Sequence, residues 1–224
     1  NMASRRSVAE ADGSGPLQEF ISSEAKRLRL WIVGGTIPVR STDPDRPFSS
    51  SYVFDHDGIC VGRYDKAHLF DVEIPGSDEA YQESAFTRPG TAALVVESPW
   101  GRLGVAVCYD LRFPEQFRQM SSTGLDVVAV PSAFTVPTGQ AHWDTLLRAR
   151  AVENLCYVVA AAQTGCHPGN RETYGHSMII GPWGQVLGDA GSSEGVITAA
   201  FDRAGIDDLR QRFPVLAHRS EMEH

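Results

Sequence analysis

The fold turns on the stretch Leu103–Arg118, L-G-V-A-V-C-Y-D-L-R-F-P-E-Q-F-R. It opens as a short, continuous apolar run, the pattern of a strand buried on both faces. It closes on Pro114 and Glu115, a proline and an acid in the places that the first turn of a helix favours. Cys108 falls between the two. A thiol on such a strand-to-helix turn lies near a helix N-terminus, which favours the thiolate. The position suits a nucleophile.

Working outward, Ala92–Val96 and Leu103–Val107 read as strands joined around Pro99-Trp100-Gly101, and Pro114 to about Ser121 as a helix closed by Gly124. Val127–Val130 is a buried strand running into Pro131-Ser132-Ala133-Phe134. Ala141–Asn154 has helical spacing, with Trp143, Leu146, Leu147 and Ala151 as its inner face. Tyr157–Ala162 and Ser177–Ile180 read as buried strands, Gly195–Phe201 as a final strand and Ile206–Arg212 as a last helix.

Toward the N-terminus, Asn1–Gly15 reads as loop and Pro16–Arg29 as a helix with Leu17, Phe20, Ile21 and Leu28 on one face. Leu30–Thr36 is a short strand, and Arg40–Ser50 an exposed turn region. Ser51–Phe54 and Ile59–Tyr64 flank the hairpin signal Asp55-His56-Asp57-Gly58. Asp65–Gly90 has no period, and a loop of that length is more often functional than idle. Strands alternating with helices, plus hairpins, predict a layered α/β or α+β fold, with residues 1–224 as one domain.

The bulk numbers narrow the function. Of 224 residues, 42% are hydrophobic and 21% charged, the composition of an ordinary globular protein. A net charge of −8 argues against a nucleic-acid or anionic-membrane partner. No apolar run approaches the roughly 20 residues that span a bilayer. Cys60, Cys108, Cys156 and Cys166 contain no C-x-x-C pair and no zinc-finger spacing. Cys60 and Cys156 read as reduced, buried thiols of a cytoplasmic protein, while Cys166 is left open.

Several side chains are candidates for chemistry. Lys66, directly after a strand, would lower a neighbouring thiol's pKa and stabilise an oxyanion, or it is a solvated surface lysine. Glu83 would orient Lys66 or move a proton, or it is an exposed loop carboxylate. Arg112 suits two-point binding of a carboxylate, with a structural ion pair to Glu115 or Asp110 as the alternative. His68, His142, His167 and His176 raise a Cys–His mechanism, but the residues around Cys108 lack the papain-type signature, and no histidine pair has zinc spacing.

Three stretches in order resemble the carbon–nitrogen hydrolase (nitrilase) superfamily: Lys66-Ala67-His68-Leu69-Phe70-Asp71 with Pro75-Gly76, Tyr81-Gln82-Glu83-Ser84, and Val107-Cys108 through Pro114-Glu115. The likeness continues through Pro131-Ser132-Ala133-Phe134, Ala141-His142-Trp143, Arg148-Ala149-Arg150-Ala151 and Gly175-His176-Ser177-Met178. It implies a four-layer α-β-β-α sandwich and a cysteine–lysine–glutamate set. Cys108 would match the nucleophile, Lys66 the lysine and Glu83 the supporting glutamate, with the Tyr109 backbone N–H as the second oxyanion donor. No metal or organic cofactor is implied. A homodimer is, formed partly through the helix after Cys108 and the segment around Phe213-Pro214-Val215.

Within the superfamily, Ala160-Ala161-Ala162-Gln163, Gly165, His167 and Tyr174-Gly175-His176-Ser177-Met178 are similar to the branch of deaminated glutathione amidases and omega-amidases. That likeness, closer to the deaminated glutathione amidase pattern, implies hydrolysis of the amide C–N bond of deaminated glutathione, a 2-oxoglutaramate-type substrate, through a cysteine thioester, with Arg112 and the Phe134 region binding its carboxylate. Omega-amidase action on 2-oxoglutaramate is the alternative substrate. The family's general-base glutamate would fall just before Asn1. An opening strand–helix–strand unit is therefore expected to be absent from the sequence as given. Glu10, in a polar loop, is not assigned that role. A non-catalytic, nitrilase-like binding module is the alternative of another class.

Overall fold

Two sheets, stacked face to face, lie between helices in a computed structural model that describes residues 2–76, 79–169 and 171–220. After a 3-10 helix, Met2–Val8, come α1 (Pro16–Leu28), β1 (Ile32–Val33), β2 (Ile37–Val39), β3 (Phe48–Phe54) and β4 (Cys60–Asp65). β3 is the middle strand: β1 and β2 pair with it along one edge and β4 along the other, all antiparallel. Of the strand expected over Leu30–Thr36 only Ile32–Val33 forms, and β2 begins beyond it at Ile37. β1 and β2 are parted by Gly34-Gly35, where Gly35 takes a left-handed φ of 61°.

The expected loop Asp65–Gly90 is not structureless. It holds the antiparallel ribbon β5 (Asp71–Glu73) and β6 (Ala80–Gln82), then a 3-10 turn over Glu83–Ala85. Next come β7 (Leu94–Ser98), β8 (Gly101–Val105), a 3-10 helix over Cys108–Arg112, α2 (Pro114–Ser122) and β9 (Val127–Ala129). α3 (Val136–Asn154) and β10 (Tyr157–Ala160) follow, and then a second ribbon, β11 (Thr164–His167) with β12 (Arg171–Tyr174). β13 (Met178–Ile180), β14 (Val186–Asp189) and α4 (Arg203–Arg212) end the described chain. The larger sheet has the order β14-β13-β10-β9-β8-β7. Its central strands β8, β9 and β10 are parallel, and its outer pairings are antiparallel.

Three apolar layers hold this stack, and they give the α-β-β-α order the resemblance implies. Phe117, Met120, Trp143, Leu147 and Ala151 of α2 and α3 pack on Val128, Val158 and Ile180 of the larger sheet. Val53 and Tyr64 of the smaller sheet meet Leu103, Val105, Val107 and Ala129 of the larger one. Ala25 of α1 packs on Val39, Tyr52 and Phe54 on the far face of the smaller sheet.

Four further expectations are corrected. α1 turns Gln18, Ile21 and Ala25 inward and leaves Leu17, Phe20 and Leu28 exposed. Gln18 is held inside because its amide donates to Glu10 at 3.0 Å and to the Ala11 carbonyl at 2.8 Å. α3 begins at Val136, five residues early, with the Thr135 hydroxyl accepting from the Thr138 N–H. Gly195–Phe201 is not a strand: Val196 is 91% exposed, and Phe201 packs its ring on Tyr157 instead. Cys60, at the open start of β4, is exposed rather than buried. Among the described residues, no helix is long and apolar enough to cross a membrane.

Candidate active site

β8 delivers the chain to Cys108 through backbone ties to the neighbouring strand. Ala106 N–H donates to Ala129 O, and Cys108 N–H to Pro131 O, each at 3.0 Å. Cys108 itself has φ 53°, in the left-handed region that costs an L-residue roughly 1–2 kcal/mol. Such a backbone turns sharply and lifts the side chain clear of the strand, the logic of a nucleophile elbow. The helix that follows is first a 3-10 segment, with α2 beginning only at Pro114.

Asp110 fastens this elbow to the segment around Lys66, at the end of β4. It is fully buried and accepts four hydrogen bonds. Oδ2 takes Val107 N–H at 2.8 Å and Tyr64 OH at 2.7 Å. Oδ1 takes His68 N–H at 2.9 Å and the His68 ring Nδ1 at 2.8 Å. Tyr64 and His68 lie two residues either side of Lys66, so one carboxylate aligns both chain segments.

Lys66 and Glu83 are 4% and 6% exposed, which removes the surface alternatives for both. The Lys66 ammonium is ion-paired with Glu83 Oε2. That oxygen also accepts Phe70 N–H at 2.8 Å. Glu83 Oε1 lies 3.8 Å from an Arg5 guanidinium nitrogen, and Arg5 donates to Ser49 Oγ at 2.9 Å.

Cys108, Lys66, Glu83, Tyr109, Arg112 and Phe134 all line one cavity of about 790 Å³. Arg112 forms an ion pair with neither Glu115 nor Asp110. Its guanidinium carbon sits 5.9 Å from the Tyr109 ring centroid and 5.6 Å from that of Phe134, and a nitrogen meets His142 Nδ1 at 3.2 Å. Burial lowers its pKa, an effect opposed by the neighbouring Tyr109 and Cys108.

The sequence reading missed Arg5, Phe70, Tyr81 and Arg171 in this lining. Among the described lining residues, Arg5, Lys66, Arg112 and Arg171 are cationic and Glu83 is the one carboxylate. The cavity of an acidic protein is therefore positive, which favours an anionic ligand.

The four histidines take other partners. His68 bonds Asp110, His142 bonds Arg112, His167 Nε2 meets Thr173 Oγ1 at 2.7 Å, and His176 pairs with Asp189 at 3.1 Å. None lines the cavity, so a Cys–His pair does not form. Glu10 lies elsewhere: it accepts the Leu17 and Gln18 N–H groups at the start of α1. Among the described residues, no group of three or more metal-ligating side chains is arranged to hold an ion.

Comparison with known proteins gives this arrangement its context. The chain is 42% identical over 219 residues, 97% of its length, to a Yersinia enterocolitica protein named deaminated glutathione amidase, and spans 77% of that relative. The Caenorhabditis elegans NitFhit structure superposes with a TM-score of 0.84 at 43% identity, covering 90% of this chain and 49% of that longer one. Saccharomyces cerevisiae Nit3, described as a member of branch 10 of the nitrilase superfamily, superposes with a TM-score of 0.85 at 31% identity, covering 96% and 76%. The carbon–nitrogen hydrolase family model matches residues 3–211. The chain belongs to the carbon–nitrogen hydrolase family.

Proposed function

We propose that this protein is an amidase that hydrolyses the amide C–N bond of deaminated glutathione through a thioester on Cys108. The Cys108 sulfur attacks the amide carbonyl and forms a C–S bond. The developing oxyanion is held by the Lys66 ammonium and the Tyr109 backbone N–H. The C–N bond then breaks, and the thiol proton ends on the departing amine. Water cleaves the thioester, giving its hydroxyl to the acyl carbon and its proton back to sulfur. Glu83 fixes the Lys66 ammonium toward the cavity. Arg112, between the Tyr109 and Phe134 rings, takes the ketocarboxylate of the acyl fragment.

The chemistry rests on Cys108 and the buried Lys66–Glu83 pair facing one cavity. The substrate rests on relatives of that name at 40–42% identity over most of the chain. The test compares kcat/KM for deaminated glutathione and for 2-oxoglutaramate, with Cys108→Ala as control. Preference for deaminated glutathione, loss of turnover in the variant and an acyl adduct on Cys108 by intact mass are expected. A preference for 2-oxoglutaramate would move the protein to the omega-amidases, and activity in Cys108→Ala would remove the thioester.

The protein is also proposed to be cytoplasmic, a reading supported by its four free thiols. It is proposed to form a homodimer through α2 and the segment around Phe213. The exposed Trp183–Phe213 pair, with ring centroids 5.3 Å apart, supports a contact there. Light scattering at twice the monomer mass is expected, and a clean monomer would refute it.

A further inference from the structure

One wall of the cavity is a run of three aromatic rings with a guanidinium at each end. Tyr109 and Phe70 are 5.1 Å apart, and Phe70 and Tyr81 another 5.1 Å. Arg112 closes the first end, 5.9 Å from the Tyr109 ring, and Arg171 the other, 5.9 Å from the Tyr81 ring. Arg171 sits at the start of β12, and its Nη2 donates to Ala133 O at 2.8 Å, which pins the group to the lining. Its Nε is buried and has no hydrogen-bond partner among the described residues. Arg171 also meets the Tyr81 hydroxyl, which in turn donates to Glu79 Oε2 at 2.5 Å. A guanidinium held at the wall of a cavity with one carboxylate among its described lining residues is matched to an anionic ligand.

The two guanidiniums have different places relative to the nucleophile. Arg112 is four residues after Cys108 on the same 3-10 helix. The acyl fragment is bonded to Cys108 from the first chemical step until water releases it in the second, so Arg112 is placed to hold it throughout. Arg171, carried by the separate ribbon of β11 and β12, is left for the fragment that departs.

We infer that Arg171 binds a carboxylate on the amine side of the scissile bond, so that the site selects amides with a carboxylate at both ends. The inference rests on the amidase reading above. Deaminated glutathione, whose leaving fragment ends in a glycine carboxylate, meets the requirement. 2-Oxoglutaramate, which releases ammonia, does not. Arg171 would then be a specificity residue, touching substrate but taking no part in bond making.

The experiment measures kcat/KM of the full chain on deaminated glutathione and on the same compound with its glycine carboxylate converted to a carboxamide. A charge-assisted hydrogen bond predicts that the parent prefers the acid by about 10- to 100-fold, mostly through KM. Arg171→Met is expected to bring the acid-to-carboxamide ratio close to one, and Arg171→Lys to keep part of it. A packing role would change both substrates alike and leave the ratio in place. Equal use of both compounds by the parent, which needs no variant to fold, would overturn the inference while leaving the amidase intact. So would an unchanged ratio in Arg171→Met. A parent that cleaves neither compound removes the amidase reading and this inference with it.

Discussion

Glu83 holds Lys66 with the same oxygen, Oε2, that accepts the Phe70 backbone N–H at 2.8 Å. The ammonium is therefore fixed by a carboxylate that is itself tied to main chain. Both side chains are out of water, at 5% and 8% exposure. Removing one partner of a buried pair leaves a charge without compensation, at a cost of about 3–5 kcal/mol. Glu83→Ala is expected to lose stability in that range by urea unfolding, and to lose turnover because Lys66 is no longer aimed. Glu83→Gln keeps an acceptor for Phe70 N–H and is expected to lose less. A Glu83→Ala protein as stable as the parent would mean that the pair does not hold Lys66 in place.

Asp110 is expected to matter through position. Its four donors come from β4 and the two turns around the site, and an ionised carboxylate is an acceptor only. Asp110→Asn turns one acceptor into an NH2 that faces donors, at about 2–3 kcal/mol. With its clamp weakened, the Cys108 elbow shifts against Lys66. A displacement near 1 Å costs on the order of 100-fold in rate, so kcat is expected to fall by about that much. Tyr64→Phe, which deletes one of the four bonds, is the graded comparison. Full kcat in Asp110→Asn would show that the clamp does not set the geometry of the site.

These two clusters differ in how far the sequence reveals them. The elbow is local: an apolar run, Cys108, and Pro114 at the first turn of α2 are adjacent in the chain, so spacing alone identifies the turn. Lys66 and Glu83 are 17 positions apart, and the ribbon of β5 and β6 brings them together, yet their motifs lie in order and the resemblance pairs them. Arg171 has no such signal. It reaches the cavity only because β12 docks on the segment after β9, with Tyr174 N–H on Phe134 O at 3.0 Å and Thr173 bridged to Thr135. In sequence it is one polar residue in a glycine-containing loop. The start of α3 was hidden for a related reason. The first turns of α3 carry Gly139, where a Cβ would lie 2.2 Å from the Tyr174 ring, so glycine is what lets the ribbon approach the helix. The inner face of α1 is hidden in the sequence because Gln18, a polar side chain, turns inward only through its partner Glu10.

The last prediction concerns pH and rests on Cys156, which closes the turn from α3 to β10 and is fully buried. Burial pushes its thiol up from an ordinary 9.0 to about 12; Arg210 pulls it down, while Asp126 and Glu153 add to the rise. The folded protein thus keeps this proton over a window in which the unfolded chain has lost it. Stability from the neutral thiol is fully present below about pH 9 and is lost as pH rises toward 12, with a slope of up to about 1.4 kcal/mol per pH unit. Other groups also titrate there, so the measurement is a difference. Urea unfolding of the parent and of Cys156→Ala is compared at about pH 8 and about pH 10. The parent's advantage over the variant is expected to shrink by roughly 1 kcal/mol across that interval. Tyrosines common to both proteins cancel in the comparison. An advantage that stays constant would place the Cys156 titration outside the window and return alkaline loss of stability to those tyrosines.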